Sequence, residues 1–239
     1  MFGLGGLLGL GSSTIDPASL DASLYIINYA GTLPHAGTAS KGISGTHSVV
    51  TWGGTPPAVG PKFGSHPTFD FNGSTDDTLI TDVSIILSTL ITASAYSFDF
   101  IAQFDFALPV TAEYIHPALY ADWGAIVATN YSSSGIQAFH YDGAVRQVTP
   151  FIPLAVGVKA NVQTVYDGTN LKCRVNGGAW SSVATAALTD LTGRVRFGAN
   201  YANGNWIDGR IARGMAFKRA LTQSEFDMLY QDARLNYGV

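Results

Sequence analysis

Residues 193–230 read GRVRFGANYANGNWIDGRIARGMAFKRALTQSEFDMLY, and the architecture of the chain is easiest to infer from here. The first part contains two runs in which apolar and polar residues alternate, the period of a half-buried strand. Gly and Asn residues between positions 200 and 209 supply a turn that joins the runs. The apolar positions of the two predicted strands are Val195 and Phe197, then Ile211, Met215 and Phe217, which share one parity.

A short helix is predicted directly after the second of these strands. Thr222 and Glu225 stand three residues apart, at the spacing of a capping box, in which each side chain bonds the other residue's backbone N–H. Phe226, Leu229 and Tyr230 then place an apolar stripe on one side of the helix. Glu225 is therefore assigned to the helix cap and removed from the candidate catalytic acids.

The composition favours one β-rich domain with an uncharged polar surface. The chain has 239 residues, of which 46% are apolar, 13% are charged and 27 are Gly. β-Sandwiches of this length often form a single domain with a sizeable core. The surface must be built largely from Ser, Thr, Asn, Gly and Tyr, as in extracellular or virion β-proteins. The net charge of -4 and the lack of any Lys/Arg run argue against nucleic acid as a partner.

The cysteine and hydropathy patterns set aside two further classes of protein. Cys173 is the only cysteine, so no intrachain disulfide can form. It shares the parity of Leu171 and Val175, which predicts a buried strand thiol rather than a reactive one. No apolar run is long enough to cross a bilayer as a helix.

The clearest strand pattern is YSFDFIAQFDF, residues 96–106. Aromatic and small apolar residues occupy one face, while Ser97, Asp99, Gln103 and Asp105 occupy the other, so one face belongs to a core. Further β-rich runs, separated by short turns, are residues 123–130, 135–141, 158–168 and 171–175. This recurrence predicts an all-β fold, an antiparallel jelly-roll β-sandwich with a short C-terminal helix and an extended N-terminal arm.

Two stretches are expected to lie mostly outside regular structure. Residues 31–67 are rich in Gly, Pro, Ser and Thr and predict mostly loop, after one predicted strand around Tyr25, Ile27 and Tyr29. Residues 107–121 predict a long surface excursion, the kind of loop that often carries recognition.

An apolar Gly-rich segment, residues 1–13, precedes the predicted domain, residues 14–239. It has no Lys or Arg before its apolar part and no clear cleavage site, so it does not fit a secretory signal. On a free tail its large apolar residues would favour aggregation. We therefore expect an anchoring arm that packs on a partner chain, within a homo-oligomer or a larger assembly. The anchoring side chains are Phe2, Leu4, Leu7, Leu8 and Leu10.

Several motifs follow one another between residues 69 and 231. They are FNGSTDD, the long FDF strand, WGAIVATN, VYDGTNLKCRVNG and FGANYANGNWIDGRIARGMAFKRALTQSEF. In this order the chain resembles the laminin-G-like, concanavalin-A-like jelly-roll superfamily, of the kind found in phage virion proteins. It departs from the family where Lys159, Ala160 and Asn161 replace a Trp-His pair. The resemblance implies fold more directly than function, because one fold hosts many activities.

Domains of this kind are often carbohydrate-binding, and they also occur as modules in virion proteins. The apolar arm without a signal and the absence of disulfides favour the virion setting. We therefore expect a non-enzymatic virion structural or decoration protein, located at the virion surface and attached through residues 1–13. A carbohydrate-binding module that adsorbs to host-surface glycans is the first alternative, and a carbohydrate-active hydrolase is the second.

The carboxylate pattern argues against an enzyme. A glycoside hydrolase needs two facing carboxylates, yet of the two Glu residues one is Glu225 and the other, Glu113, stands alone. Asp99 and Asp105 lie six residues apart on one strand, about 20 Å, which is too far for a catalytic pair. No Gly-x-Ser-x-Gly motif accompanies the histidines, and His140 is interpreted as a strand-face residue.

Sugar recognition needs an aromatic face for stacking and amide or carboxylate groups for the hydroxyls. The predicted glycan-binding residues are Tyr201, Asn203, Asn205, Trp206 and Asp208 in one loop, with Trp123 and Tyr131 elsewhere. Residues of these types also build tight turns, so a purely structural role stays open.

Calcium is the one cofactor considered, because the resembled domains often hold this ion through carboxylate and carbonyl oxygens. The densest cluster of side-chain oxygens in the sequence is Asn72, Asp76 and Asp77. The alternative is that these residues only terminate a hairpin.

Overall fold

The computed structural model describes residues 20, 24–27, 50–52, 58–72, 79–81, 91–105, 113–114, 118–120, 127–132, 135–142, 145–188, 191, 194–197 and 208–239. In chain order the strands are β1 Leu24–Ile27, β2 Val50–Trp52, β3 Ala58–Phe63, β4 His66–Asn72, β5 Leu79–Thr81, β6 Tyr96–Phe104, β7 Glu113–Tyr114, β8 Ala118–Tyr120, β9 Val127–Ser132, β10 Gly135–Tyr141, β11 Arg146–Val148, β12 Ile152–Pro153, β13 Lys159–Tyr166, β14 Asn170–Val175, β15 Ser181–Ala184, β16 Arg194–Phe197 and β17 Asp208–Phe217. Helix α1, Gln223–Asp232, continues into a π-helical turn, Ala233–Tyr237.

The strands form three antiparallel sheets. The large sheet has the order β15-β14-β13-β6-β17-β4-β3, and β1 also pairs with β17. A five-stranded sheet has the order β11-β10-β9-β7, with β12 on β10, and a four-stranded sheet has the order β2-β5-β16-β8. β17 lies in the middle of the large sheet, so the C-terminal stretch of the sequence is central to the fold.

The apolar core lies between the large and the five-stranded sheets. Its large-sheet side is lined by aromatic residues of β6, among them Phe98 and Phe100, which are almost fully buried. Ile136 and Ala138 of β10 contribute the opposing side. Cys173 belongs to the same core, and burial raises the pKa of its thiol to about 12, so the predicted buried strand thiol is confirmed. The all-β sandwich is likewise confirmed.

The outer face of the large sheet is covered by the C-terminal helical segment. Phe226 and Leu229 of α1 pack on Met215, Phe217 and strand β13. The π-helical turn continues this cover. Its Tyr237 packs with Phe63 and Ile101, and stacks on His66 at a centroid distance of 4.3 Å. Polar residues of β6 therefore face a helix rather than solvent.

A buried ion pair joins this outer face to α1. Asp99 of β6 is 0% exposed, and Arg213 donates to it at 2.8 Å and also to Asp232 of α1. The other Asp99 carboxylate oxygen accepts from the amides of Asn161 at 2.8 Å and Gln163 at 2.9 Å. Both Asp99 oxygens are thus engaged, which is the condition under which a charge can be buried.

Arg174 extends the polar contacts beneath the helix. It donates to Gln163 at 2.6 Å and to Asp227 of α1 at 2.8 Å. Its guanidinium lies 4.7 Å from the Trp180 ring centroid, and Trp180 packs edge-on against Phe226. The helix is therefore held by directional contacts as well as by apolar burial.

A β-bulge in β17 corrects one prediction. Ala212 is an extra residue between the positions that pair with β6, so the parity of the strand reverses at this point. Ile211 lies in the core between the sheets, whereas Met215 and Phe217 lie beneath α1 on the opposite face. The prediction that these three side chains share one face is wrong.

The predicted loop over residues 31–67 is also wrong in its described part. β2 lies within it, and β3 pairs with β4 in an antiparallel hairpin. Pro61 is compatible with β3 because this strand ends the order of the large sheet. The predicted excursion at residues 107–121 likewise contains the short strands β7 and β8. The strand predicted around Tyr25 is confirmed as β1.

The predicted helix cap is present in full. Thr222 accepts from the Glu225 backbone N–H, and the Glu225 carboxylate accepts from the Thr222 N–H at 2.7 Å. Hydrogen bonds from Arg219 lower the pKa of Glu225 to about 2. Tyr230 is only half-buried and lies against Gly177, where φ is +66° and the ring leaves no room for a Cβ. No helix within the described ranges is both long and apolar enough to span a membrane.

Candidate functional site

At one end of the large sheet, where β4 ends and β17 begins, two residues from different predicted sites lie side by side. Asp208 at the start of β17 pairs with Asn72 at the end of β4. The backbone N–H of Asp105, just beyond β6, donates to the Asp208 carbonyl at 2.9 Å. Three strands of the sheet therefore begin or end here, next to residues 72, 105 and 208. We call this end of the sheet the Asp208 edge.

At the Asp208 edge, one arginine lies between two carboxylates. Arg210 lies 3.3 Å from a carboxylate oxygen of Asp70 and 3.1 Å from one of Asp105. Gln103 also donates to Asp105. Asp70, Asp105 and Arg210 are half-buried, and one arginine faces two carboxylates, so this group carries net negative charge.

The pKa of Asp208 is raised above its usual value. Partial burial raises the pKa of Asp208, and the negative charges of Asp105 and Asp70 raise it further, while Arg210 acts in the opposite direction. A hydroxyl donor or a cation beside Asp208 would relieve this accumulation of negative charge. The edge is therefore chemically suited to a polar or cationic ligand.

Gly209 allows β17 and β6 to lie close together at the Asp208 edge. Its φ is +155°, and a Cβ at this position would collide with the backbone carbonyl of Gln103 and approach Phe104. The glycine thus lets β17 approach β6 closely at the residue after Asp208. The prediction that residues 208 and 209 belong to a turn is wrong, because both belong to β17.

The remaining predicted site residues are distributed as follows. Tyr131 lies in β9 opposite Ile136, and Asn72 lies opposite Asp208. The other glycan-binding, calcium and anchoring candidates fall outside the described residues: Tyr201, Asn203, Asn205, Trp206, Trp123, Asp76, Asp77, Phe2, Leu4, Leu7, Leu8 and Leu10. The site assignments on these residues stay predictions.

His140 belongs to a buried hydrogen-bond chain that the sequence did not reveal. Its Nδ1 lies 2.9 Å from the Tyr96 hydroxyl and its Nε2 lies 2.6 Å from the Thr185 hydroxyl. Thr185 in turn donates to Asp142 at 3.2 Å, which assigns the Nε2–H tautomer. Burial lowers the pKa of His140 to about 4. Both ring nitrogens are engaged, in agreement with a strand-face residue rather than a base.

Three of the four carboxylates considered for hydrolysis are engaged as well. Asp99 is held by Arg213 beneath α1, Asp105 is held by Arg210, and Glu225 caps the helix. Glu113 lies in β7 opposite Tyr131. Across the described ranges, no three His, Cys, Asp or Glu side chains are arranged to hold a metal ion.

No family model matches the chain, and no curated protein matches it. Solved structures do. Domain 4 of AbnA, a GH43 extracellular arabinanase from Geobacillus stearothermophilus solved with arabinotriose, aligns with a TM-score of 0.66 and 14% identity over 87% of this chain and 98% of that domain. The chain has the same sandwich fold. At this identity the likeness concerns the fold alone.

Two botulinum toxin structures show the same likeness. Botulinum neurotoxin type C, which interacts with two ganglioside molecules, aligns with a TM-score of 0.66 and 12% identity over 90% of this chain and 52% of that chain. The serotype G binding domain aligns with a TM-score of 0.66 and 14% identity over 88% of this chain and 50% of that chain. The chain thus spans about half the length of the toxin structures it matches.

Proposed function

We propose that this chain is a non-catalytic glycan-binding module. The observation that carries the proposal is its sandwich fold, which aligns over most of its length with structures that bind arabinotriose or interact with gangliosides. Both faces of the large sheet are covered, one by the core and the other by α1. Recognition is therefore assigned to the edges of the sandwich.

The Asp208 edge is the proposed binding site, together with the aromatic and amide residues that precede it in sequence. Asp208 offers a carboxylate to sugar hydroxyls, and Trp206, two residues earlier, offers a stacking face. The perturbed pKa of Asp208 supports this choice because perturbed groups cluster at functional sites. Tyr201, Asn203 and Asn205 complete the proposed set.

A glycan array that includes arabinan and ganglioside oligosaccharides tests the proposal. We expect saturable binding to at least one glycan by the intact chain, and a loss of about tenfold or more in Trp206→Ala and Asp208→Asn. Asp167→Asn is the matched control, because this carboxylate, which is paired with Lys172 at 2.6 Å, follows β13 at the opposite end of the sheet, about 26 Å along β6. Silence across the array contradicts the proposal.

The non-catalytic part of the proposal has its own test. Any glycan that binds should be recovered intact after prolonged incubation, as measured by mass spectrometry. Cleavage that is abolished by Glu113→Gln would instead establish the hydrolase alternative.

Calcium binding at Asn72, Asp76 and Asp77 is a further proposal. Asn72 lies opposite Asp208, whose raised pKa marks excess negative charge that a divalent cation would relieve. We expect millimolar calcium to raise the melting temperature, and Asp76→Asn with Asp77→Asn to remove the effect. An unchanged melting temperature with calcium or with a chelator contradicts it.

Attachment of the chain to a virion surface through residues 1–13 is proposed as a second role. The Gly-rich apolar sequence of this arm supports it, because such a segment needs a surface to pack against. Deleting residues 1–13 should leave residues 14–239 folded but unable to join the assembly. Unimpaired incorporation of the truncated chain contradicts this role.

A further inference from the structure

The β10–β11 hairpin carries three neighbouring side chains on one of its faces. Arg146 pairs directly with Tyr141 across the two strands, so their side chains project from the same face. The guanidinium carbon of Arg146 lies 4.0 Å from the ring centroid of Phe139. Phe139 meets Tyr141 edge to face, with their centroids 6.5 Å apart. We call Phe139, Tyr141 and Arg146 the hairpin triad.

The stacked arrangement leaves the hydrogen-bond donors of Arg146 available. A cation–π contact in which the guanidinium carbon lies over the ring does not use up the N–H donors. Phe139 is 2% exposed and gives the guanidinium a fixed platform, while Arg146 itself is exposed. A planar fork held in this way loses little conformational freedom when it binds a carboxylate.

The neighbouring carboxylate does not neutralise Arg146. Asp142 accepts from the Thr185 hydroxyl at 3.2 Å and from the Ala186 N–H at 3.4 Å, on the side of the hairpin that faces the core. In the described segments, no side-chain hydrogen bond or ion pair engages Arg146 or the Tyr141 hydroxyl.

Other arginines of the described structure behave differently. Each of the following is bound to at least one carboxylate: Arg174, Arg210, Arg213 and Arg219. Arg234 resembles Arg146, because it is exposed, lies over the Tyr230 ring at 5.9 Å and has a Gln231 oxygen at 3.5 Å rather than a carboxylate. It lies on the C-terminal helical segment and provides an internal control.

We propose that the hairpin triad is a subsite for a carboxylate-bearing sugar. The Arg146 fork binds the carboxylate through two N–H donors, and the Tyr141 hydroxyl bonds an adjacent sugar hydroxyl. Val145, which is 57% exposed, provides an apolar flank for the sugar ring. Because the chain carries a net charge of -4, its overall charge does not attract an acidic ligand, and the selectivity is local. The inference rests on the proposed glycan-binding function and specifies an acidic class of glycan.

Nuclear magnetic resonance of the intact chain tests this subsite directly. The probes are N-acetylneuraminic, glucuronic and galacturonic acids, with galactose as the neutral control and galactose 6-sulfate as the sulfated control. We expect at least one carboxylated sugar to shift the Arg146 Nε–Hε signal in a saturable way. Galactose should leave the signal unchanged. A sulfated sugar that binds more tightly than every carboxylated one overturns the choice of carboxylate.

Matched variants separate the subsite from general electrostatics. Arg146→Gln should weaken binding of the carboxylated sugar about 10- to 100-fold, and Tyr141→Phe should weaken it less. Arg234→Gln removes the same charge from an exposed arginine that also lies over an aromatic ring, and it should leave binding unchanged. Equal losses of sugar binding in the two arginine variants overturn the inference. So does an Arg146 signal that no acidic sugar shifts at about 20 millimolar, a concentration comparable to the Kd of weak monosaccharide sites.

The two proposals fail in distinguishable ways. Glycan binding that is lost in Asp208→Asn but indifferent to Arg146→Gln overturns only the acidic subsite. Binding of an acidic monosaccharide at Arg146 together with a silent glycan array contradicts the proposed glycan binding at the Asp208 edge and leaves the acidic subsite standing.

Discussion

The two faces of the large sheet are both buried, but their contacts differ in kind. On the inner face, Phe98 and Phe100 of β6 pack into an apolar core. On the outer face of the same strand, Asp99 is fully buried in an ion pair with Arg213 beneath α1. Apolar contacts are non-directional, whereas a buried ion pair depends on both partners being present. A polar strand face in this chain therefore marks an internal interface rather than solvent.

This difference bears on where recognition can occur. The inner and outer faces of β6, β13 and β17 are both used to hold the fold together. Two places in the described structure that lie outside these faces are candidates for recognition: the Asp208 edge, where the pKa of Asp208 is raised, and the hairpin triad, where Arg146 bonds no carboxylate. Both lie where the sheets end or where a hairpin presents an outward face.

Arg213→Met should be among the most destabilising single changes on the outer face. It leaves Asp99 and Asp232 without their cation, and breaking a buried pair in this way costs about 3–5 kcal/mol. Chemical denaturation at pH 7 measures the loss. A loss below about 1 kcal/mol would show that the ion pair is not buried as described.

Replacing all three charged residues of the outer-face ion pair by apolar residues tests whether stability there depends on charge balance. The triple variant Asp99→Leu, Arg213→Met and Asp232→Leu should recover most of the stability lost in Arg213→Met, because no unpaired charge is left. If the triple variant is less stable than Arg213→Met, the ion pair contributes more than charge balance.

Phe100→Ala is the matching change on the inner face. It should cost about 3–5 kcal/mol, because the removed ring leaves a cavity in the core between the sheets. This loss should be insensitive to pH between 5 and 8, because no charge is removed. A marked pH dependence of the loss would place Phe100 in contact with a titrating group.

Burial of His140 makes the free energy of unfolding depend on pH. Its folded pKa is lowered to about 4, so the unfolded chain takes up a proton near pH 6.5 while the folded chain does not. Stability is therefore full above pH 6.5 and falls as pH drops towards 4, by roughly 2 kcal/mol between pH 7 and pH 5.

The variant His140→Gln should remove this part of the pH dependence, although it lowers stability at pH 7. Denaturation curves of both chains at pH 7, 6 and 5 measure the difference in slope. Parallel slopes for the two chains would contradict a neutral buried imidazole.

The smallest predicted effect concerns the start of α1, the helix that covers the outer face. Thr222→Ala removes the side-chain cap and should cost about 1 kcal/mol. Ser224→Ala, an exposed change one residue into the same helix, should cost less than about 0.5 kcal/mol. Equal melting temperatures for the two variants would show that the cap does not stabilise the covered face.

Short patterns in the sequence predicted those features that depend only on residues close together in the chain. The alternation of β6, the Cys173 parity and the Thr222–Glu225 spacing each correspond to a feature of the structure. The bulge at Ala212 was not predictable, because it depends on which residues of β6 lie opposite. The same reason applies to the buried Asp99, whose helix cover comes from more than 100 residues later in the chain.

The candidate site was predictable only in part. Asp208 and Asn72 were each singled out from loop composition, but their pairing follows from strand register, which the sequence does not display. The hairpin triad was missed because Arg146 carries no motif, and its stacking on Phe139 depends on the pairing of β10 with β11.

Isothermal titration of the intact chain with the glycan that it binds most tightly on the array, followed by mass spectrometry of that glycan, decides whether this sandwich is a non-catalytic glycan-binding module. We expect saturable binding that is weakened about tenfold or more in Asp208→Asn and retained in Asp167→Asn, with the glycan recovered uncleaved. Absence of heat for every neutral and acidic glycan tried, or recovery of cleaved product, would contradict the assignment of this sandwich as a non-catalytic glycan-binding module.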